Sequence, residues 1–225
     1  MHLYENKISD EGCRHLAPAI ARSRTLRTID LFGNSITAVG VGFLAKAIER
    51  STSFYAINLT FNAVGELGCM HLAGAIRAAL RLEHVELEVN KIGPEGVRYL
   101  APAIAESKKI KKLLLSENCL GDDGAKFLAK GLRASTSIKH VDLKSNNIGD
   151  DGIKCLAAAL PYCPSLTQLG LRNNPITIIG CKLLAPAVAR SKLAKLDLRG
   201  CKIGPDGRRL FDETLQGHDV KIRWI

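Results

Sequence analysis

Apolar positions recur along the chain with a period of 28 residues. The unit opens at Leu26 and returns at Phe54, Leu82, Ile110, Ile138 and Leu166, then one residue early at Leu193. Within it, Ile29 and Leu31 alternate with Thr28, Asp30 and Phe32, the period-2 pattern of a strand with one buried face. Asn34 follows, with counterparts Asn6, Asn62, Asn90, Asn118, Asn146 and Asn174; only the last unit departs, with Cys201. At a bend stacked on its neighbour, a side-chain amide satisfies backbone groups that would otherwise be buried unpaired.

A helix fills the rest of each unit. Val41, Leu44, Ala45 and Ile48 form an i, i+3, i+4, i+7 stripe, as do Cys13, Leu16, Ala17 and Ile20. Ser9, Thr37, Gly65, Gly93, Gly121, Gly149, Thr177 and Gly204 stand at the expected helix N-caps, and Pro94 and Pro205 follow where the first turn tolerates proline. One unit cannot bury its apolar face alone, so the repeats must stack. Strands repeat about 4.8 Å apart and packed helices about 8–10 Å, so the stack curves with its strands inside. The predicted fold is α/β: an arc with a parallel sheet on the concave face and helices on the convex one.

The pattern Leu26-x-x-Ile29-x-Leu31-x-x-Asn34-x-Ile36, followed by Gly40 and Leu44-Ala45-x-Ala47-Ile48, resembles the ribonuclease-inhibitor-like class of leucine-rich repeats. That class includes ribonuclease inhibitor, the C-terminal arrays of NOD-like receptors and the Ran GTPase-activating protein. The uniform unit resembles the NOD-like receptor arrays more than the alternating lengths of ribonuclease inhibitor. The resemblance implies a non-enzymatic protein-binding scaffold. It carries over no catalytic residue, since fold analogy does not fix a site. No phosphate-binding G-x-x-x-x-G-K-[ST] loop is present.

Unbroken periodicity from Leu3 to Leu215 predicts a single domain over residues 1–225, of about seven to eight repeats, with a C-terminal capping unit near 205–225. The chain enters at Leu3 in mid-repeat, so it is expected to be a fragment of a longer protein. An uncapped end of this kind would permit weak end-to-end self-association of an otherwise monomeric chain. A second level of repetition relates Leu16–Ser23, Leu100–Ser107 and Leu184–Ser191, three units apart, and Phe43–Ile48 resembles Phe127–Leu132. This reads as duplication of a three-repeat block. Pro18, Pro102 and Pro186 fall inside their helices and are expected to kink the last turn.

Seven cysteines without a C-x-x-C pair read as reduced, structural thiols, which suits a cytoplasmic or nuclear setting. The longest apolar runs are too short to span a bilayer, and no signal peptide is visible. The formal net charge of +10 raises nucleic acid as a partner. Most of that charge has a structural reading: Asp10, Glu11, Glu66, Glu95, Asp122, Asp150 and Asp206 fall in first turns, and Arg22, Arg50, Arg77 and Arg133 near helix ends, as helix dipoles favour. A residual basic edge at Lys108, Lys109, Lys111 and Lys112 remains for an acidic protein or phosphate backbone. Nucleic acid is disfavoured because no basic face is interleaved with aromatics.

Stacking converts spaced residues into columns on the inner wall. One holds Thr28, Ala56, His84, Lys112, His140, Gln168 and Lys195; the next holds Asp30, Asn58, Glu86, Leu114, Asp142, Gly170 and Asp197. A third runs Tyr4, Phe32, Thr60, Glu88, Ser116, Lys144, Arg172 and Arg199, with Phe61 just beyond. Tyr4, Phe32 and Phe61 are candidate aromatic anchors, unless Phe32 and Phe61 tuck over the strand edge. Glu86 and Glu88, with Glu117, form a candidate acidic zone, and Lys144, Arg172 and Arg199, with Lys195, a basic one; such a gradient would orient a partner. Pairs such as His84 with Glu86 lack a nucleophile or a metal set within reach, so no catalytic residue, metal ligand or cofactor is assigned. The leading expectation is a protein partner on the concave face. The alternatives are activation of a small GTPase, by similarity to the Ran regulator, and binding of nucleic acid or an acidic protein along the basic edge.

Overall fold

Each repeat folds into one short strand and one helix, and the pairing register passes from unit to unit without a slip. The computed structural model describes residues 1–224. In chain order these form α1 (Asp10–Arg22), β1 (Thr28–Asp30), α2 (Ala38–Arg50), β2 (Ala56–Asn58), α3 (Gly65–Ala78), β3 (His84–Glu86), α4 (Gly93–Glu106) and β4 (Lys112–Leu114). There follow α5 (Gly121–Ala134), β5 (His140–Asp142), α6 (Asp150–Ala159), β6 (Gln168–Gly170), α7 (Ile178–Ala189), β7 (Lys195–Asp197), α8 (Gly204–Thr214) and β8 (Lys221–Arg223). A 3-10 turn at Leu160–Tyr162 extends α6.

All strands are parallel and lie in one sheet in sequence order from β1 to β8. The pairs Thr28–Ala56, Ala56–His84, His84–Lys112, Lys112–His140, His140–Gln168 and Gln168–Lys195 fall in one row, as the 28-residue period requires. His2 bridges to Asp30 and extends the sheet at its first edge. The central residue of each strand from β1 to β7 is buried, from Ile29 through Val85 to Leu196, while its two neighbours face outward. Leu44, Ala45 and Ile48 and their counterparts meet these residues from the helical side. One continuous core runs from Cys13 to Leu215, which burial of a single shared interior by stacked repeats demands.

The asparagine position explains how the bends are held. Asn118 is fully buried. Its Nδ2 donates to the carbonyls of Leu87, Leu115 and Ser116 at 2.8, 3.0 and 3.1 Å. Its Oδ1 accepts the amides of Asn90 and Ile92 in the preceding repeat, at 2.8 and 3.3 Å. Asn90 and Asn146 sit in the same arrangement, so a ladder of amides ties each bend to the last. Cys201, which replaces Asn in the final unit, keeps one such bond through its thiol, to the Leu171 carbonyl at 3.3 Å.

Two kinds of helix start occur where one was expected. Ser9, Thr37, Gly149 and Thr177 are N-caps in extended conformation. Gly65, Gly93, Gly121 and Gly204 are instead the first helical residues and stand in the left-handed region, with φ of 59, 63, 60 and 67°. A side chain is strained there, which is why glycine rather than a polar cap occupies these turns. Helices α1, α4 and α7 each run on past their internal prolines, to Arg22, Glu106 and Ala189. The seven cysteines are free thiols. Burial pushes Cys69 up to about 12, and burial together with Asp10 does the same for Cys13.

Candidate protein-binding face

The inner wall is made of the outward-facing strand residues and the third column, which continues the parallel ladder by backbone bonds from Gly33 to Thr60, Phe61 to Glu88 and Asn173 to Arg199. At its first end Phe32 and Phe61 pack with ring centroids 5.2 Å apart and planes at 58°. Phe32 is half-buried, but Phe61 is 53% exposed and Tyr4 55% exposed. Tyr4 lies outside the ring pair, so the aromatic patch consists of Phe61 standing on Phe32, with Tyr4 on the neighbouring unit.

The Phe61 backbone is left-handed, as it is at this position in every repeat. Its φ is 57°, and the same position in the other repeats carries Glu5, Gly33, Val89, Glu117, Ser145, Asn173 and Gly200 with φ between 54 and 70°. Bulky side chains seldom adopt the left-handed region, and holding one there costs about 1–3 kcal/mol. Val89, in the next repeat, shares the conformation with φ of 54°.

The expected acidic zone is mostly neutralised in place. Glu86 bonds the Lys112 ammonium at 2.7 Å, and Glu117 bonds that of Lys144 at 2.8 Å. Lys111 of the basic edge pairs with Glu83 at 2.6 Å. Glu88 accepts the Thr60 hydroxyl at 3.4 Å, and partial burial, with Asp142 and Glu86 nearby, raises its carboxyl above the ordinary range. The basic zone divides in the same way. Arg199 is tied to Asp197 at 2.6 Å, whereas Arg172 has no ion-pair partner among the described residues and its Nε is buried without a hydrogen bond. Burial alone would raise the Asp197 carboxyl, but the Arg199 hydrogen bonds and charge outweigh it and hold it low.

Near the far end the wall opens into a hollow of about 300 Å³ around Gly170, bordered by His140, Gln168, Lys195, Lys221 and Arg223. Gly170 is the one residue of its column without a side chain, and a Cβ there would stand 2.4 Å from Asp142 Oδ1. The periodic pattern placed Gly170 in this column, but the hollow depends on its lateral neighbour Asp142.

A contact absent from the sequence expectations joins Tyr55 to His84. The Tyr55 hydroxyl lies 3.1 Å from His84 Nε2 and the rings meet edge-on at 4.7 Å. The signal was available, since Tyr55 precedes β2 and stands one repeat and one residue before His84. Burial and the Lys112 charge lower the His84 pKa, and burial lowers that of His140. Neither imidazole bonds a carboxylate among the described residues, so no base-and-orienter pair is assembled here. Among the described residues no three His, Cys, Asp or Glu side chains are grouped to hold a metal ion, and no helix is long and apolar enough to cross a membrane.

A family model described as a leucine-rich repeat matches residues 22–45, 82–101, 106–129, 134–157 and 191–211. No curated protein matches the sequence. Among solved structures, leiomodin-1 actin-binding site 2 is 23% identical, with a TM-score of 0.48 over 58% of this chain and 80% of that one. The tropomodulin C-terminal domain from Caenorhabditis elegans is 14% identical, with a TM-score of 0.47 over 92% of this chain and 91% of that one.

Proposed function

This chain belongs to the leucine-rich repeat family, and from that premise we propose that it is a non-enzymatic scaffold that grips a protein partner on its concave wall. The observation that carries this reading is Phe61: an exposed aromatic ring, tilted against Phe32, at a position where the other repeats hold Glu5, Gly33, Val89, Glu117, Ser145, Asn173 and Gly200 and no other aromatic. The other repeats adopt the same turn with Glu, Gly, Val, Ser or Asn, so the fold does not require an exposed ring there, and a partner contact is the role we assign to it. Large aromatic anchors of this kind dominate interface energetics. Arg172 and the hollow at Gly170 supply a cationic counterpart at the other end, and the two ends together give the partner a direction. Within the family, the uniform 28-residue unit favours the ribonuclease-inhibitor-like class and a NOD-like-receptor type of sensing array.

Photo-crosslinking tests this reading. A benzophenone amino acid at position 61 or 172 should label the same cellular protein, and one at Lys154, on the outside of α6, should not. Changing Phe61 to glycine should reduce that labelling while raising stability by up to about 1 kcal/mol, because glycine relieves the left-handed strain. Equal labelling from positions 61 and 154, or unfolding of the Phe61→Gly variant, would remove the concave site.

A further inference from the structure

The three-repeat duplication has a structural outcome on the opposite, helical face: two matching grooves. The first, of about 410 Å³, lies between α1 and α2 and is lined by Arg14, Ala17, Pro18, Phe43 and Lys46 among others. The second, of about 240 Å³, lies between α4 and α5 and is lined by Arg98, Ala101, Pro102, Phe127 and Lys130. These residues correspond one to one across three repeats.

Each groove combines three kinds of contact. Proline has no N–H, so the carbonyls of Arg14 and Arg98 receive no helical bond from the residue four further on and remain acceptors. Half-buried Phe43 and Phe127 face the prolines across an alanine floor and form an apolar slot. The rims are cationic, with no carboxylate in either lining. Arg14 and Arg98 are each steadied by a glutamate one turn earlier, Glu11 at 2.9 Å and Glu95 at 2.6 Å. Lys46 and Lys130 are exposed and take part in none of the ion pairs among the described residues.

The grooves differ in one instructive way. Gly131 stands where the first block has Ala47, and a Cβ at 131 would lie 2.6 Å from the Ala101 carbonyl oxygen. Helix α5 therefore rides close on α4, in keeping with the smaller volume. The first groove also carries Arg22 and Arg50, whose counterparts are Glu106 and Ala134.

We propose that the two grooves are equivalent docking sites for one linear protein motif, an apolar side chain flanked by carboxylates, and that the chain engages two copies of it. The apolar group fills the slot between phenylalanine and proline, and the carboxylates meet Lys46 or Lys130. The Arg14 or Arg98 carbonyl accepts a backbone N–H from the motif. A phosphate backbone would meet the cations but leave the slot empty. Paired sites raise the avidity for a partner carrying the motif twice. The inference is independent of the concave wall.

Calorimetric and amide-NMR titration of the full chain with a synthetic glutamate-rich peptide carrying a single leucine tests it. Two sites should appear, the more cationic first groove binding more tightly. Lys46→Glu should weaken one site and Lys130→Glu the other, each by at least about tenfold, and replacing the leucine by alanine should cost both sites about tenfold. Lys154→Glu, on the outside of α6 and in the lining of neither groove, should change neither. The proposal is overturned by a single site, by no binding, by binding that survives in the Lys46→Glu, Lys130→Glu double variant, or by a leucine-free peptide that binds equally well. Occupation of the grooves by a single-stranded oligonucleotide in preference to the peptide would also overturn it.

Discussion

Asp10 caps a helix that is not its own. It lies in the first turn of α1, yet its Oδ1 accepts the amides of Thr37 and Gly40 at the start of α2, at 2.8 and 2.9 Å, and its Oδ2 accepts the Thr37 hydroxyl at 2.6 Å. Asp122 does the same for Gly149 and Gly152, and Asp150 for Thr177 and Gly180. The counterparts of these aspartates in the other repeats are Ala38, Glu66, Pro94 and Ile178, and there the following helix opens on a left-handed glycine instead. A carboxylate one repeat back and a glycine turn are alternative ways of starting the same helix.

Removing such a bridge should cost what a helix cap is worth. Asp150→Ala is expected to lower stability by about 1–2 kcal/mol, because it frees two amides and a hydroxyl. Glu66→Ala, in the same register before a glycine start, should cost less than about 1 kcal/mol, the scale of an exposed dipole contact. Urea denaturation of both variants measures the difference. Equal losses would mean that Asp150 acts only through the dipole of its own helix.

How far the chain could be read beforehand follows from the same geometry. The strand register, the buried asparagine ladder and the three surface columns are consequences of a strict 28-residue period, and a period is visible in one dimension. The aspartate bridges were not, because each spans a full repeat and a first-turn acid already had a sufficient explanation in the dipole of its own helix. The ion pairs that partly neutralise the acidic zone are hidden from the sequence for a related reason. Glu86 and Lys112 belong to different columns, and only their diagonal approach across β3 and β4 brings them to 2.7 Å. Column patterns give neighbours along a row; pairing across rows depends on side-chain reach.

The inner-wall histidines give the stability a definite pH dependence. His84 and His140 both titrate below the ordinary 6.5 in the folded chain, mainly because burial disfavours the imidazolium. As pH falls through the unfolded value, the unfolded chain takes up these protons first. Their contribution is therefore intact above about pH 6.5 and declines toward the lower folded values. Urea midpoints of the wild type should drop as pH is lowered from about 7.5 to 5.5, and a His84→Gln, His140→Gln variant should show a flatter profile. An identical slope in the two proteins would locate the titration elsewhere.

Thiol chemistry should separate by burial. Cys119 is exposed, while Cys13, Cys69 and Cys181 are enclosed in the core and burial holds their thiols near 12. The thiolate is the reactive form, so alkylation of the native chain should label Cys119 first and leave these three untouched until the chain unfolds. Peptide mapping after limited iodoacetamide treatment reads the order. Early labelling of Cys69 would show that α3 opens without global unfolding.

Two helical glycines should respond to alanine with opposite signs. In a helix interior alanine is favoured over glycine by about 1 kcal/mol, so the outcome turns on what the added methyl meets. At Gly42, in α2, a Cβ would touch the His71 ring at 3.4 Å, an ordinary contact, and Gly42→Ala should stabilise the chain by up to about 1 kcal/mol. At Gly131, in α5, the same atom would meet the Ala101 carbonyl oxygen at 2.6 Å and its Cα at 3.0 Å, backbone that can yield only if α4 and α5 separate. Overpacking of that kind costs about 1–3 kcal/mol and exceeds the propensity gain, so Gly131→Ala should be net destabilising. Thermal denaturation of the two variants side by side decides the matter. A stabilised Gly131→Ala would mean that the helix layer can open without loss, and that the approach of α4 to α5 is not a constraint on the stack.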